Sequence, residues 1–298
     1  MSDKVAVVTG SNKGIGFATV RELCQRGVGT VYLTARDVTR GKEAVEKLRK
    51  EGLNPLFHQL DVTDRNSVKV FANHLKEKHG GLDILINNAG ILVKDLYKTT
   101  YEDANHVIDV NYRSLFIIQE FLFPILKDNA RVVNVSSDCG FISHIKNPYW
   151  VQRLTKKDIK AADVNAFVDW FLDSVKNGTV KKEDFEEMEM LAYRISKVAV
   201  TALTRAQQNE INRGISINSL NPGYVQTEMN KNVGYIPLEE SGKAPVYLAL
   251  DVDQSVKGKY FWYDKTEKDW ENPSLQLHSR FDEYEQTLRE AGVLSLFG

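Results

Sequence analysis

Cysteine is scarce in this chain. Its 298 residues include two, Cys24 and Cys139, far apart and without CxxC spacing. That excludes a disulfide framework and a thiol redox motif, and it suits a reducing compartment. Net charge is almost absent too, because 39 basic residues face 40 acidic ones and leave −1. Without a basic footprint, neither nucleic acid nor an anionic membrane surface is expected as a partner. No apolar run approaches the roughly 18 residues that a bilayer crossing requires. Met1-Ser2-Asp3-Lys4 leads straight into a strand and not into a targeting segment, so the cytosol is the expected location. The six histidines show no HExxH-type spacing, and no metal is expected.

What is present is an ordinary globular composition, 42% hydrophobic and 27% charged. Residues 4 to 9 form a short apolar run ending at glycine, as expected for a strand buried on both faces. Further runs of this kind occur at Val31-Tyr32-Leu33, Leu56 to Leu60, Leu82 to Ile86, Arg131 to Val135, Ile215 to Asn218 and Tyr260-Phe261-Trp262. Helical periodicity fills the gaps between them, including a long stretch from Glu102 to Lys127 and a helix from Tyr193 to about Asn212. This alternation predicts an α/β fold, a doubly wound parallel sheet of about seven strands with helices on both faces. In such sheets the ligand lies beyond the carboxyl ends of the strands.

The residues at those ends carry chemistry. After the first strand, Gly10-Ser11-Asn12-Lys13-Gly14-Ile15-Gly16 opens a helix that runs to about Arg26. Such a turn aims N–H groups and the positive end of a helix at a phosphate. Arg36 ends the second strand, twenty residues after Gly16, where an acidic residue would select NAD and an arginine suits the 2′-phosphate of NADP. Lys13 offers a second cation, and Asp37 beside Arg36 opposes the assignment. Tyr193 and Lys197 lie four residues apart, on one helical face. A lysine charge about 5 Å from a phenol stabilises its anion by about 3 kcal/mol at an effective dielectric near 20. The pair is thereby suited to exchange a proton with a carbonyl oxygen.

Taken in order, Thr9-Gly10-xxx-Gly14-x-Gly16, Asp61-Val62, Asn87-Asn88-Ala89-Gly90, Asn111, Ser136-Ser137, Tyr193-xxx-Lys197 and Pro222-Gly223 resemble the short-chain dehydrogenases/reductases. The match runs over residues 1 to about 263. The wording of residues 33–41 and 52–61 is similar, more narrowly, to animal monomeric carbonyl reductases. The resemblance implies a Rossmann-type fold that binds NADP(H) and reduces aldehydes, ketones or quinones, a small-molecule carbonyl substrate being the partner. It implies Asn111, Ser137, Tyr193 and Lys197 as the catalytic set. Ser137 steadies the carbonyl, Tyr193 donates the proton, and Lys197 tunes Tyr193 and holds the ribose. Asn111 holds a water that links the lysine to solvent. Asp61 and Val62 are implied at the adenine, with Asp61 also read as a cap for the helix that follows. Asn88, Ala89 and Gly90 are implied at a ribose, and Pro222, Gly223, Val225 and Thr227 at the nicotinamide. Phe141 and Tyr224 are read as aromatic pocket walls, which suits planar or apolar carbonyl compounds. A hydroxysteroid or other secondary-alcohol dehydrogenase, and an inactive NADP-binding sensor or scaffold, are the competing readings.

One departure from the general family stands out. Between Ser137 and Tyr193 lie 55 residues, where connections ordinarily run about 2–6. Val164, Phe167, Val168, Phe171, Leu172 and Val175 predict an amphipathic helix in this insertion, which spans about 141–190, starting near Asp163 and ending near Asn177-Gly178. Phe185 and Met188 suggest a second, short one. By resemblance, the insertion covers the face that relatives use to oligomerise, so a monomer is expected. Residues 1–272 are expected to be a single catalytic domain. Residues 227–240 are expected to cover the site as a mobile segment, and His144 to be solvated near its mouth. Residues 273–298 form an extension in which Phe281, Tyr284, Leu288 and Val293 hint at a helix.

Overall fold

The computed structural model describes residues 3–275. Eight strands form one sheet: β1 (Val5–Val8), β2 (Thr30–Ala35), β3 (Leu56–Gln59), β4 (Leu82–Asn87), β5 (Leu126–Val135), β6 (Ser216–Asn221), β7 (Tyr260–Trp262) and β8 (Glu267–Lys268). Their order is β3-β2-β1-β4-β5-β6-β7-β8. The first seven pair in parallel and β8 runs antiparallel to β7. The eighth strand escaped the sequence reading because two residues are too few to show a period. Every residue of β1, β6 and β7 is buried, as continuous apolar or small-polar runs between two helical layers must be.

Helices α1 (Gly14–Gln25) and α2 (Val38–Lys50) share one face with a later helix, Lys243–Leu250, numbered α9. Helices α3 (Arg65–His79), α4 (Tyr101–Ile108), α5 (Ser114–Leu122) and α8 (Leu191–Glu210) cover the other. The strand order reverses between β1 and β4, so their carboxyl ends open a crevice.

The long helix expected over 102–127 is interrupted. A wider π-type turn, Asp109–Arg113, separates α4 from α5, and Leu126 already belongs to β5. Such turns are rare and frequently mark functional positions. Asn111 sits in this one, and it is 3% exposed.

The insertion contains α6 (Pro148–Thr155), which periodicity had not revealed, and the expected α7 (Ala161–Lys176), capped by Asn177 and followed by Gly178 at φ +65°. No second helix forms at Phe185 and Met188. A single tight turn, Lys182–Asp184, precedes Phe185, which instead makes a bridge to Ile145. The apolar face of α7 packs against α4 and α8. Asp163 fastens α6 to α7, pairing with Arg153 at 2.9 Å and Lys156 at 2.8 Å and accepting from the Lys160 N–H at 3.0 Å. Burial opposes its ionisation, but these partners hold the carboxyl down to about 2. The helix suggested by Phe281 to Val293 lies outside the described residues.

Candidate active site

After β1 the chain turns through Gly10 and Gly14, each at φ +60°, a conformation glycine enters without steric cost. A Cβ on Gly10 would stand 2.9 Å from the Ala89 Cα, and one on Gly16 would stand 2.4 Å from the Asn88 Nδ2. The turn is braced from β4. Thr9 Oγ1 accepts from the N–H groups of Asn88 and Ala89, both at 3.0 Å, and the Asn88 amide donates to the carbonyls of Thr9 and Gly10 at 2.9 and 3.1 Å. The Asn88 side chain is thus a strut beneath the turn. Helix α1 carries no side-chain cap and no acid in its first turn. Its leading N–H groups, at Gly14, Ile15 and Gly16 beyond Asn12, remain open to an anion.

Arg36 is exposed beyond β2. Asp37 does not cancel it, because its carboxylate caps α2, accepting from the Arg40 N–H at 2.9 Å and lying 3.9 Å from the Arg40 Nε. Arg40 adds a cation to this rim, and the sequence reading missed it because it lies inside a helix. Lys13 is engaged elsewhere, with its Nζ 2.6 Å from Glu228, so the glycine turn is tied to the segment after β6. Beyond β3, Asp61 Oδ1 accepts from the N–H and hydroxyl of Thr63 at 2.9 and 2.7 Å. The cap of α3 is Asp64, accepting from Asn66 at 2.8 Å, so the capping role expected of Asp61 belongs three residues later. Val62 is buried next to it.

The hydroxyl groups meet where β5 and α8 converge. Lys197 is 5% exposed, donates to the Val135 carbonyl at 3.0 Å, and places Nζ 5.6 Å from the centre of the Tyr193 ring. Ser137 lies near the Tyr193 side chain, and its hydroxyl donates to Asp138 Oδ1 at 2.8 Å. A Cβ on Gly90 would sit 3.3 Å from Asn111 Oδ1 and 3.7 Å from Lys197 Nζ, so the β4 end, the π-type turn and α8 share one small space. Asn111 accepts from the Ile91 N–H at 2.8 Å and donates to the Ile91 carbonyl at 2.9 Å and to Ser196 Oγ at 3.0 Å. Its side chain therefore fixes the chain after β4 to α8.

Burial decides the protonation here. It pushes the Lys197 ammonium down to about 8 and the Tyr193 phenol well above its ordinary value, with only the Ser137 hydrogen bond pulling the phenol back. In the protein without cofactor, desolvation sets the direction for Tyr193, opposite to the lowering expected from Lys197.

The 55-residue excursion returns under restraint. Met190, just before α8, adopts φ +51°, and its N–H donates to the Leu96 carbonyl at 2.6 Å. Arg194 is 8% exposed, contacts Glu187 through Nη2 and donates to the Glu189 carbonyl at 2.9 Å. His144 faces Arg194 at 3.2 Å and the Asp138 carbonyl at 3.1 Å. It is 9% exposed, which overturns its expected solvation. Phe141 is corrected as well. At 1% exposure, stacked between His144 and Trp262 with centroids 5.8 Å from each, it is a core residue and not a pocket wall.

The loop after β6 completes the enclosure. Pro222 is buried, and Gly223 at φ +76° lies where a Cβ would collide with Ile236 and Tyr263. Val225 bridges to Ile236, so the chain beyond Thr227 folds back on the strand end. The Thr227 methyl lies 3.8 Å from where a Gly14 Cβ would stand. Tyr224 stacks obliquely on Tyr235, and Tyr235 on Tyr263, at 6.4 and 5.7 Å. The ring contacts of Tyr235 and Tyr263 were hidden in the sequence, since nothing local links them to Tyr224.

Comparison with known proteins agrees with this geometry. The short chain dehydrogenase family model matches residues 4–150 and 181–235, so its gap falls within the insertion. The chain is 40% identical over 256 residues to carbonyl reductase (NADPH) 1 of Bos taurus, covering 84% of this chain and 91% of that one. It is 38% identical to the Homo sapiens protein of the same name, covering 83% and 90%. Among solved structures, salutaridine reductase from Papaver somniferum superposes with a TM-score of 0.80 at 33% identity, covering 88% of this chain and 99% of that one.

Proposed function

The chain belongs to the short-chain dehydrogenase family, and from that premise we propose that it is an NADPH-dependent carbonyl reductase acting through Ser137, Tyr193 and Lys197, with Asn111 in support. The reading is carried by Ser137 lying close enough to the Tyr193 side chain to bear on its proton and by the Lys197 Nζ 5.6 Å from the centre of the Tyr193 ring, anchored on the last carbonyl of β5. The relatives that cover most of the chain bear this activity in their names.

The residues present fit NADPH. Gly10 approaches Ala89 too closely for any side chain, which leaves backbone exposed along the turn, and the start of α1 is uncapped. Gly10, Asn12, Gly14, Ile15 and Gly16 would hold the pyrophosphate. Arg36 and Arg40 would hold the 2′-phosphate, Lys13 reaching it only by leaving Glu228. Asp61 and Val62 would border the adenine. Ala89, Gly90 and Lys197 would border the nicotinamide ribose, and Pro222, Gly223, Val225 and Thr227 the ring. When bound, NADPH supplies the hydride from its nicotinamide.

The side chains of the protein handle the oxygen. Ser137 donates a hydrogen bond to the carbonyl oxygen, and Tyr193 delivers the proton as charge develops there. A phenol kept protonated by burial is a donor over the neutral range, which favours reduction over oxidation. Asn111 braces the chain between Gly90 and α8, which supports the proton path from Lys197 expected of it. The substrates are aldehydes, ketones or quinones, and Tyr224 flanks them.

We assign a monomer, since α7 already covers α4 and α8, and a cytosolic location; among the described residues no helix is long and apolar enough to cross a membrane. NADPH consumption against a panel of quinones, lipid aldehydes, steroids and aromatic ketones tests the activity. Turnover confined to steroid alcohols with NADP⁺ would favour the dehydrogenase reading, and no turnover at all would reject both. Light scattering at micromolar concentration tests the monomer, against which a dimer mass would count.

A further inference from the structure

A cavity of about 720 Å³ lies over the edge strand β3, between α2 and α3. Small-molecule pockets span about 300–1,000 Å³. Leu56 opens β3 and His79 closes α3, so the cavity lies toward the amino ends of the strands, at the opposite end of the sheet from the crevice. The reductase reading gives it no role. Its apolar lining is Tyr32, Val45, Leu56 and Phe57, and Leu56 is 42% exposed.

The polar lining is almost all of one sign. Lys42 and Arg49 come from α2, and His74, Lys78 and His79 from α3, against one carboxylate, Glu46. That carboxylate is taken by Arg49 at 2.6 Å. Among the described residues Lys42 and Lys78 have no ion-pair partner. Basic residues near a helix C-terminus complement its dipole, but Lys42 stands in the first half of α2, where that explanation fails.

The Tyr32 hydroxyl lies 2.8 Å from His74 Nε2 and 2.9 Å from His79 Nε2. A phenol has one proton, so at least one of these rings donates to the oxygen. The His58 ring lies 4.9 Å from that of His74, its Nδ1 bonded to the Gln59 carbonyl at 2.7 Å. Burial holds both His74 and His79 below the ordinary imidazole range. His79 and Lys78 add to this at His74, with Glu77 opposing, as do Lys127 and Lys78 at His79. Lys127 is itself paired with Asp83 at 2.9 Å. An anion among these groups favours their protonated forms. With both rings protonated, both donate to the phenol oxygen, and the Tyr32 proton is left for the anion.

We propose that this cavity binds an organic carboxylate with an apolar body. The basic rim of Lys42, Lys78, His74 and His79 takes the carboxylate, and the body lies on Val45, Leu56 and Phe57. Binding takes up protons at the histidines.

Calorimetry on the full chain tests this with 2-naphthoate, its neutral counterpart 2-naphthylmethanol, and inorganic phosphate. 2-Naphthoate is expected to bind at least about tenfold more tightly than either, the lower end for a hydrogen bond to a charged group. Lys42→Gln combined with Lys78→Gln should weaken it by about 10- to 150-fold and leave NADPH binding unchanged. Naphthoate held in the crevice would not respond to that pair. The carboxylate stays ionised near neutrality, so a loss of affinity from about pH 6 to about pH 8 reports the histidines. His74→Gln, or His79→Gln if the first does not fold, should flatten that dependence. Four results would each overturn the proposal: no binding at millimolar 2-naphthoate, equal binding of the alcohol or of phosphate, an affinity unchanged in the lysine pair, or a wild-type affinity independent of pH. None of these measurements uses turnover, so the reductase reading stands or falls separately.

Discussion

On the β1–β4 side of the crevice, the supports run between residues that closely follow strands and meet in one turn: Thr9 to Asn88 and Ala89, and Asn88 to Gly10. On the β5–β7 side, the supports are larger aromatic and ionic side chains reaching across to loops. Tyr260 donates to the Ser137 carbonyl at 3.0 Å, Trp270 to the Gly140 carbonyl at 2.6 Å, and Arg194 reaches back to His144. The first side is built from backbone and small residues, which suits an invariant dinucleotide. The second is built from aromatic and ionic side chains on loops, which allows the pocket to differ between relatives while the chemistry stays fixed.

If the two sides are separable, the largest effect should touch only one of them. Tyr193→Phe should lower kcat by about 10²- to 10⁴-fold while leaving NADPH affinity close to wild type. Retention of more than about a tenth of kcat would reject the proton-donor role. On the opposite side, Arg36→Ala should reduce the preference for NADPH over NADH, measured as the ratio of kcat/KM, by roughly 10- to 150-fold with little change in kcat. An unchanged ratio would move the 2′-phosphate to Arg40.

The insertion offers a stability test that should leave cofactor selection alone. The depressed pKa of Asp163, about 2 against 3.8, means that its stabilisation is complete above 3.8 and is lost as pH falls through about 2. Asp163→Asn should therefore cost about 2 kcal/mol of unfolding free energy at pH 7. The deficit should close in acid, and denaturant unfolding at pH 7 and pH 2 would detect both.

The smallest effect joins the two sides. Lys197 titrates near 8 while Tyr193 stays protonated, so kcat/KM for reduction should fall above about pH 8 as the ammonium is lost. A flat profile up to pH 10 would show that bound NADPH raises Lys197 again, and the comparison would sharpen accordingly.

Legibility follows the same division. The turn at Gly10, Gly14 and Gly16 and the place of Arg36 beyond β2 were readable because turn geometry and position along a strand–turn–helix unit are local. The α7 helix was readable from its period. The break at Asn111 was hidden, since a π-type turn keeps an apolar pattern close to that of a helix. The burial of Phe141 and His144 was hidden as well, because it depends on Trp262 and Arg194, which are remote in sequence.

By itself, the sequence determined the order of the strands and, at their ends, the residues proposed for the chemistry: a glycine turn, Arg36, and Ser137, Tyr193 and Lys197. Each of these depends on identity and local spacing. The tertiary structure alone decided the burial of Lys197 and the use of Asn88 as a brace. Desolvation and side-chain pairing are set by which distant segments pack together, and no local pattern encodes that.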